Sequence, residues 1–596
     1  MNIAALYHRT ESEFAYLHTQ DKLHIRLRTA KGDVHKVSLV QNDPYKLWGE
    51  WYKDIFKEKR PMDIIASTDI HDYWMIETGE EHKRLLYAFH IVANDGEEVF
   101  YCDRGVYPVR KPYTSDHNYY FRYPYFHAID MIKSPHWVRE TVWYQIFPER
   151  FCNGDISNDP EGTLPWNSQK PGNYDFFGGD LQGIIDKLGY ISSLGFNGIY
   201  LCPIFKSPTN HKYDTSDYFD IDPAFGTKET LKRLIDECHK RNIKVMLDAV
   251  FNHIGDTSEQ WLDVVKNGAE SRYASWFHIY KFPVSYTKTN RIDEAENLTY
   301  DSFGFTSHMP KLNTANPEVQ EYLLKVARYW TENFDIDAWR LDVANEVDHR
   351  FWKSFYREVT NINSEIYIIG EVWHSSQEWL QSSEFHGVMN YSLTQSILEH
   401  FIRGNINSSK MIAAINHQLM LYPKQTNEVM FNLLDSHDTP RLMTIAKGNK
   451  KKAKSALAFM FMQTGSPCIY YGTEIGMFGG GDPDCRACME WDETRWDRAM
   501  YTFVSSLVAI RRKFSDIISF ANAEWEVDCE KSVIKMTKKY KGNVLFGIFN
   551  TGTAEFETAA HGIMLLSSET RAGQNNIVIK SNGFYIGYLE GEKCTQ

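Results

Sequence analysis

Arg340 and Asp342 stand two residues apart in the run Asp337-Ala338-Trp339-Arg340-Leu341-Asp342-Val343-Ala344-Asn345-Glu346. Trp339, Leu341 and Val343 alternate with Arg340, Asp342 and Ala344, the period of a β-strand, so guanidinium and carboxylate share one face. A neighbouring cation favours the charged form of a carboxylate and lowers its pKa. An ionised carboxylate held in place can serve as a nucleophile. Taken alone, the segment reads first as an ordinary ion pair at a strand end. Similar polar residues, however, close other apolar runs: Tyr144 and Gln145, then Asp248 with Asn252 and His253, then Glu371 with Trp373, then Asp435, His437 and Asp438. Such a set suits a reaction in which one carboxyl donates a proton while another attacks. An ordinary structural role would need a separate basic partner for each carboxylate.

Bringing these residues together requires strands that all point the same way. Eight apolar runs occur at residues 142–147, 198–203, 245–250, 338–343, 367–372, 387–391, 431–434 and 468–471, with helix-like segments between them such as 228–242 and 319–333. This is the rhythm of βα units. Eight of them predict an α/β fold, a (β/α)8 TIM barrel, whose functional residues sit at the C-terminal strand ends. The third and fourth runs lie much further apart than a βα loop requires, which predicts an inserted subdomain over residues 254–313. Residues 1–125 alternate polar and apolar about turns such as Asn94-Asp95-Gly96 and read as an N-terminal β-sandwich. The catalytic barrel is expected over 126–510 and a C-terminal β-sandwich over 511–596, where strand patterns resume.

Bulk properties exclude several classes. The chain has 596 residues, too many for one core, and a formal charge of −13 that disfavours a nucleic-acid partner. Aromatic residues make up 14%, enough for a large core and for rings that stack on sugar faces. No run approaches the length of a membrane span, and residues 1–18 carry Arg9, Glu11 and Glu13 rather than a signal-like apolar stretch. Nine scattered cysteines read as free thiols, which points to a reducing, cytoplasmic setting. Cys485 and Cys488 have no second pair and are expected to be inert.

In order along the chain, Asp248…Asn252-His253, Arg340-x-Asp342, Glu371 and His437-Asp438 resemble the signature regions of the α-amylase family of glycoside hydrolases. The runs Tyr144-Gln145-Ile146-Phe147-Pro148 and Gly472-Thr473-Glu474-Ile475-Gly476 look familial too. Met309-Pro310-Lys311-Leu312-Asn313, the Val343-Ala344-Asn345-Glu346 ending and the β domain ahead of the barrel resemble the cyclomaltodextrinase, neopullulanase and maltogenic amylase subgroup. Where Cys488 stands, that subgroup usually has proline. The resemblance implies retaining hydrolysis of α-1,4-glucosidic bonds in cyclodextrins, maltooligosaccharides, pullulan and starch, with transglycosylation as a second activity. It implies Asp342 as nucleophile, Glu371 as acid/base and Asp438 as transition-state stabiliser. Tyr144, as stacking platform, and His253, Arg340, Glu346, Trp373 and His437 become the expected substrate binders. It further implies a homodimer formed through the N-terminal domain. A Ca²⁺ site is expected at Asn153, Asp155, Asn158, Asp159, Gly178 and Asp180, residues whose oxygens suit that ion and equally build turns. The rival reading is a catalytically dead barrel used for binding or transport. Such a protein should have lost part of the acid/nucleophile pair, whereas this chain keeps Asp342, Glu371 and Asp438.

Overall fold

The computed structural model describes residues 1–45, 58–289, 294–381, 383–559, 562–573 and 576–591. Parts of the expected N-terminal domain (46–57) and of the expected insertion (290–293) lie outside the described residues. The chain forms two compact units, one of residues 1–133, 405–428 and 527–530, the other of 134–404, 429–526 and 531–596.

In the first unit, strands Ala15–Thr19, Lys22–Ala30, His71–Thr78 and Asp63–Ser67 make one antiparallel sheet. Strands Lys59–Pro61, Val34–Asn42, Leu85–Ala93, Glu98–Cys102 and Gly105–Pro108 make a second, with Phe121–Tyr123 paired to Leu85–Ala93. Alternation sends Leu23, Ile25 and Leu27 from the first sheet and Val37, Leu39, Tyr87 and Phe89 from the second into one core, which makes a β-sandwich.

The second unit is built on eight parallel strands: β1 (Trp143–Ile146), β2 (Gly198–Leu201), β3 (Lys244–Ala249), β4 (Ala338–Leu341), β5 (Tyr367–Gly370), β6 (Gly387–Val388), β7 (Phe431–Asn432) and β8 (Ser466–Tyr470). Their hydrogen-bonded order is β6-β5-β4-β3-β2-β1-β8-β7. A parallel bridge between Met389 and Phe431 joins the two ends and closes the barrel. The strands are buried on both faces, which is why each reads as a continuous apolar run. Trp143, Tyr200, Met246, Tyr367 and Phe431 fill the interior.

Two helices fix β4, the strand that carries Asp342. Helix Pro317–Phe334 starts at an Asn316 cap with proline in its first turn and stops at Asp335, whose φ of 58° is left-handed. It buries Val319, Leu323, Val326, Ala327 and Trp330 along one face. Helix His349–Ile362 follows β4, capped by Asp348 and burying Phe351, Trp352 and Phe355. Trp339, on the outward face of β4, donates to Thr331 on the first helix and meets the Phe355 ring of the second. Its neighbour Arg340 therefore points inward. Truncating the fully buried Trp330 to Ala would cost about 3–5 kcal/mol.

The insertion between β3 and β4 holds helix Glu259–Asn267 and the short strands Thr287–Lys288 and Ala295–Glu296. The bridge His253–Lys311 fastens it to the barrel mouth, and the bridge Phe277–Leu312 ties its two halves together. Helix Arg498–Lys513 spans residue 510 and helix Ser515–Phe520 follows it, so the C-terminal sheet starts only at Ala523. Its six antiparallel strands centre on Asn576–Leu589, which pairs with three of the others.

Candidate active site

Parallel register places Asp248 of β3 level with Arg340 of β4. Both therefore project into the barrel mouth. Arg340 is fully buried. Its Nη1 lies 2.9 Å from both Asp248 oxygens and 2.7 Å from Asp342 Oδ1, and its Nη2 lies 2.8 Å from Glu371 Oε2. One guanidinium thus serves three carboxylates, using the fork geometry that lysine lacks. Glu371 Oε2 also accepts the Val343 N–H at 3.0 Å, and its Oε1 accepts the Trp373 indole at 3.0 Å. Val343 adopts φ 44°, a left-handed conformation that is strained for a β-branched residue by about 1–3 kcal/mol. The amide turned by that strain is the one that reaches Glu371.

The expectation that Arg340 keeps the Asp342 pKa low is corrected here. Burial drives the Asp342 carboxyl well above its ordinary range; Arg340 opposes this, while Glu371 and Asp248 reinforce it. Burial likewise pushes Asp248 up to about 6 against the pull of Arg340. The physical reason is division: one positive charge is spread over three buried carboxylates. Asp248 and Asp342 titrate together, their protons belonging to the pair rather than to one residue. Carboxyl groups gathered on one cation suit a reaction in which one carboxyl donates a proton while another attacks.

A cavity of about 370 Å³ opens above this cluster, lined among others by Tyr213, His253, Asp342, Glu371, Trp373 and Asp438. Asp438 lies 3.2 Å from His437 Nε2 and 3.3 Å from Arg486 Nη2. His253 is held neutral by burial, its pKa lowered to about 3, and its ring lies 5.2 Å from that of Phe303 on the insertion. Trp373 is half exposed and stacks on Tyr391 at 3.6 Å.

Four residues expected to touch substrate do not line the cavity. Tyr144 is fully buried with its hydroxyl on Glu474, because its place on β1 turns the ring away from the mouth; it is not a stacking platform. Arg340 lies behind the carboxylates as their shared counterion. His437 is also fully buried; the Gln145 amide donates to its Nδ1, leaving Nε2 to face the Tyr213 hydroxyl at 2.5 Å. Glu346 is exposed and paired with Lys311 at 2.8 Å.

Sequence reasoning missed Tyr213 and Arg486. Tyr213 lies in the loop after β2; its hydroxyl donates to Asp248 at 3.1 Å and its ring lies parallel to His437. It is the aromatic surface at the cavity floor that Tyr144 was expected to supply. The run His211-Lys212-Tyr213-Asp214, an aromatic among polar residues after a strand, was the available signal. Arg486 sits between Cys485 and the Ala487-Cys488 pair and links Asp482 at 3.0 Å to Asp438. Both cysteines are buried free thiols, each pushed up to about 12 by that burial.

The loop after β1 fits a calcium ion through part of the expected set. Asn153 Oδ1 and Asn158 Oδ1 are buried without a hydrogen-bond partner. Asp159 adjoins them, accepting from Asn153 Nδ2 at 2.8 Å. At Gly178, φ 80°, any Cβ would collide with Asn153 Nδ2 and Asp159 Oδ1, so the backbone closes tightly over these two side chains. Asp180 does not fit: it caps helix Leu181–Asp186 by accepting from Gly183 and also accepts from Gly154, Asp155 and Asn158 Nδ2, which occupies both its oxygens. The Asp155 carboxylate is exposed and turned onto Ser157.

The chain matches the α-amylase catalytic domain over residues 145–542 and the α-amylase N-terminal Ig-like domain over residues 1–127. It is 49% identical over 554 residues to an intracellular maltogenic amylase of Bacillus subtilis, covering 93% of this chain and 92% of that protein. It is 42% identical over 530 residues to neopullulanase 2 of Thermoactinomyces vulgaris, covering 89% and 87%. A solved cyclomaltodextrinase superposes with a TM-score of 0.89 at 41% identity, covering 99% of this chain and 100% of that one. Sequence, fold and the carboxylate cluster at the barrel mouth agree: the chain belongs to the α-amylase family of glycoside hydrolases, alongside its cyclomaltodextrinase, maltogenic amylase and neopullulanase members.

Proposed function

We propose that this enzyme hydrolyses α-1,4-glucosidic bonds in cyclodextrins, maltooligosaccharides, pullulan and starch with retention of configuration. The observation that carries the mechanism is the bridging of Asp342 and Glu371 by the two terminal nitrogens of one buried guanidinium at the wall of one cavity. A pair so bridged is compatible with the separation of roughly 5–5.5 Å that retaining glycosidases use. The names of the relatives support the substrate class.

Asp342 Oδ1 is occupied by Arg340, which leaves Oδ2 to attack the anomeric carbon. Glu371 protonates the departing sugar oxygen, and the Val343 amide and Trp373 indole keep its carboxyl in position. A covalent glycosyl-enzyme results. Glu371 then takes a proton from water, which releases the sugar, or from a sugar hydroxyl, which gives transglycosylation. Asp438 and His253 hold sugar hydroxyls, and Tyr213 and Trp373 supply apolar surfaces. Arg340 and His437 act through the residues they position.

Asn153, Asn158, Asp159 and the Gly178 carbonyl would hold Ca²⁺, which would stiffen the loop after β1. The N-terminal sandwich is proposed to mediate homodimerisation. The setting is proposed to be cytoplasmic, in keeping with the relative named intracellular and with thiols left free. Among the described residues, no helix is long and apolar enough to cross a membrane.

Glu371→Gln tests the mechanism. Maltooligosaccharides, whose leaving group needs the proton, should react about 10²–10⁴-fold slower. An α-glucosyl fluoride should still glycosylate Asp342, and azide should rescue turnover to give the α-glycosyl azide. Formation of the β-azide would mean direct displacement without a covalent intermediate and would overturn the mechanism.

A further inference from the structure

A second groove, of about 630 Å³, lies on the inserted subdomain. Its walls carry Tyr280 and Phe305, 69% and 74% exposed, with Glu294, Glu296, Asp301 and Ser302. The turn at Ser302–Thr306 joins it to the active site. Phe303 lines the catalytic cavity over His253, whereas Phe305, within about 7 Å of chain, lines the groove. Gly304 at φ 56° and Phe305 at φ 68° turn the two rings to different sides. Positive φ is costly for a bulky residue, and burial does not repay it here because the Phe305 ring is exposed. The Tyr280 ring is anchored by its hydroxyl on Asp301. Asp301 is itself fixed by backbone bonds to His278 and Lys311. The Tyr280 ring is thus preorganised although solvent reaches it.

We infer that this groove is an outer subsite that binds an α-glucan chain extending from the catalytic cavity across the Phe303–Phe305 turn. The inference rests on the proposed substrate class. Ring faces suit the apolar faces of sugars, and the acidic walls supply acceptors for hydroxyl groups. No lysine or arginine is among the described lining residues, which disfavours an anionic ligand.

The test is Tyr280→Ala/Phe305→Ala, assayed on maltotriose and on soluble amylose. For amylose KM should rise about tenfold, the loss of two ring contacts, with kcat unchanged. Maltotriose, which offers far fewer sugar rings to the groove than amylose, should show a much smaller rise in KM with kcat unchanged and thereby report an intact fold. An unchanged amylose KM, or an equal rise for maltotriose, overturns the outer subsite. A shift from dimer to monomer in light scattering overturns it as well, because a second copy would then be the occupant. Wild-type cleavage of both substrates upholds the proposed activity whatever the variant does; its failure would strike that reading first.

Discussion

Replacing Arg340 by Lys keeps one positive charge at the centre of the site but removes the fork that distributes it. In the native site, contacts of 2.7–2.9 Å reach Asp248, Asp342 and Glu371 from two nitrogens of one rigid plane. A lysine ammonium is a single point charge and cannot reproduce both ends of that plane. Losing one hydrogen bond to a charged group costs about 1.5–3 kcal/mol, which at the transition state is about 10- to 150-fold in kcat/KM. The pH profile should move too. Burial already pushes the Asp342 carboxyl up, and Arg340 is the main force holding it down. With a poorer counterion its pKa rises further. The ionised form attacks, so the acidic limb of kcat/KM should shift to higher pH. Maltotriose hydrolysis followed across the pH range, with circular dichroism as a folding control, reads both effects. Arg340→Met, which leaves the carboxylates no cation, should instead destabilise the protein by about 3–5 kcal/mol. If Arg340→Lys keeps activity within threefold and its acidic limb does not move, the shared guanidinium is not the organiser of this site.

Asp342→Asn should lose about 10⁴-fold or more in kcat with no loss of melting temperature, since the amide cannot form the covalent intermediate yet relieves a buried carboxyl; residual activity near wild type would reassign the nucleophile. EDTA should lower the melting temperature by removing an ion bound to the native state, and Asn158→Ala should abolish that response; a wild-type melt indifferent to chelation would argue against the calcium site. His239 Nε2 lies 2.7 Å from Asp337, which raises the histidine pKa above its ordinary value. A raised pKa gives stability that is complete below the unfolded value and lost as pH rises through the folded one. His239→Gln should therefore cost about 1 kcal/mol at mildly acidic pH and little in alkaline buffer; a cost independent of pH would show that the imidazolium contributes nothing.

The sequence by itself determined the barrel. Strands buried on both faces must be apolar throughout, so all eight runs stood out, and the excess length between the third and fourth marked the insertion. It also determined which residues end each strand, because position along a strand is a local property. Hence Asp342, Glu371 and Asp438 could be named together, and all three line one cavity. Helix Arg498–Lys513 runs across residue 510 and strands resume only at Ala523, because local pattern marks elements rather than the core they join. Only the tertiary structure decided which side chains face the mouth. Tyr144 lies on a barrel strand and Tyr213 in a loop, yet closure of the barrel buries the first against Glu474 and lays the second beside His437. Asp180 looked like a calcium ligand from its neighbours but is consumed by a helix that begins at the next residue. Proton affinity was equally illegible. Arg340 beside Asp342 suggested a lowered pKa, but two further carboxylates converge on the same cation, Asp248 from 92 residues away. A pair of adjacent residues fixes which charges are neighbours. How far they are buried, and how many others share the cation, is a property of the folded barrel alone.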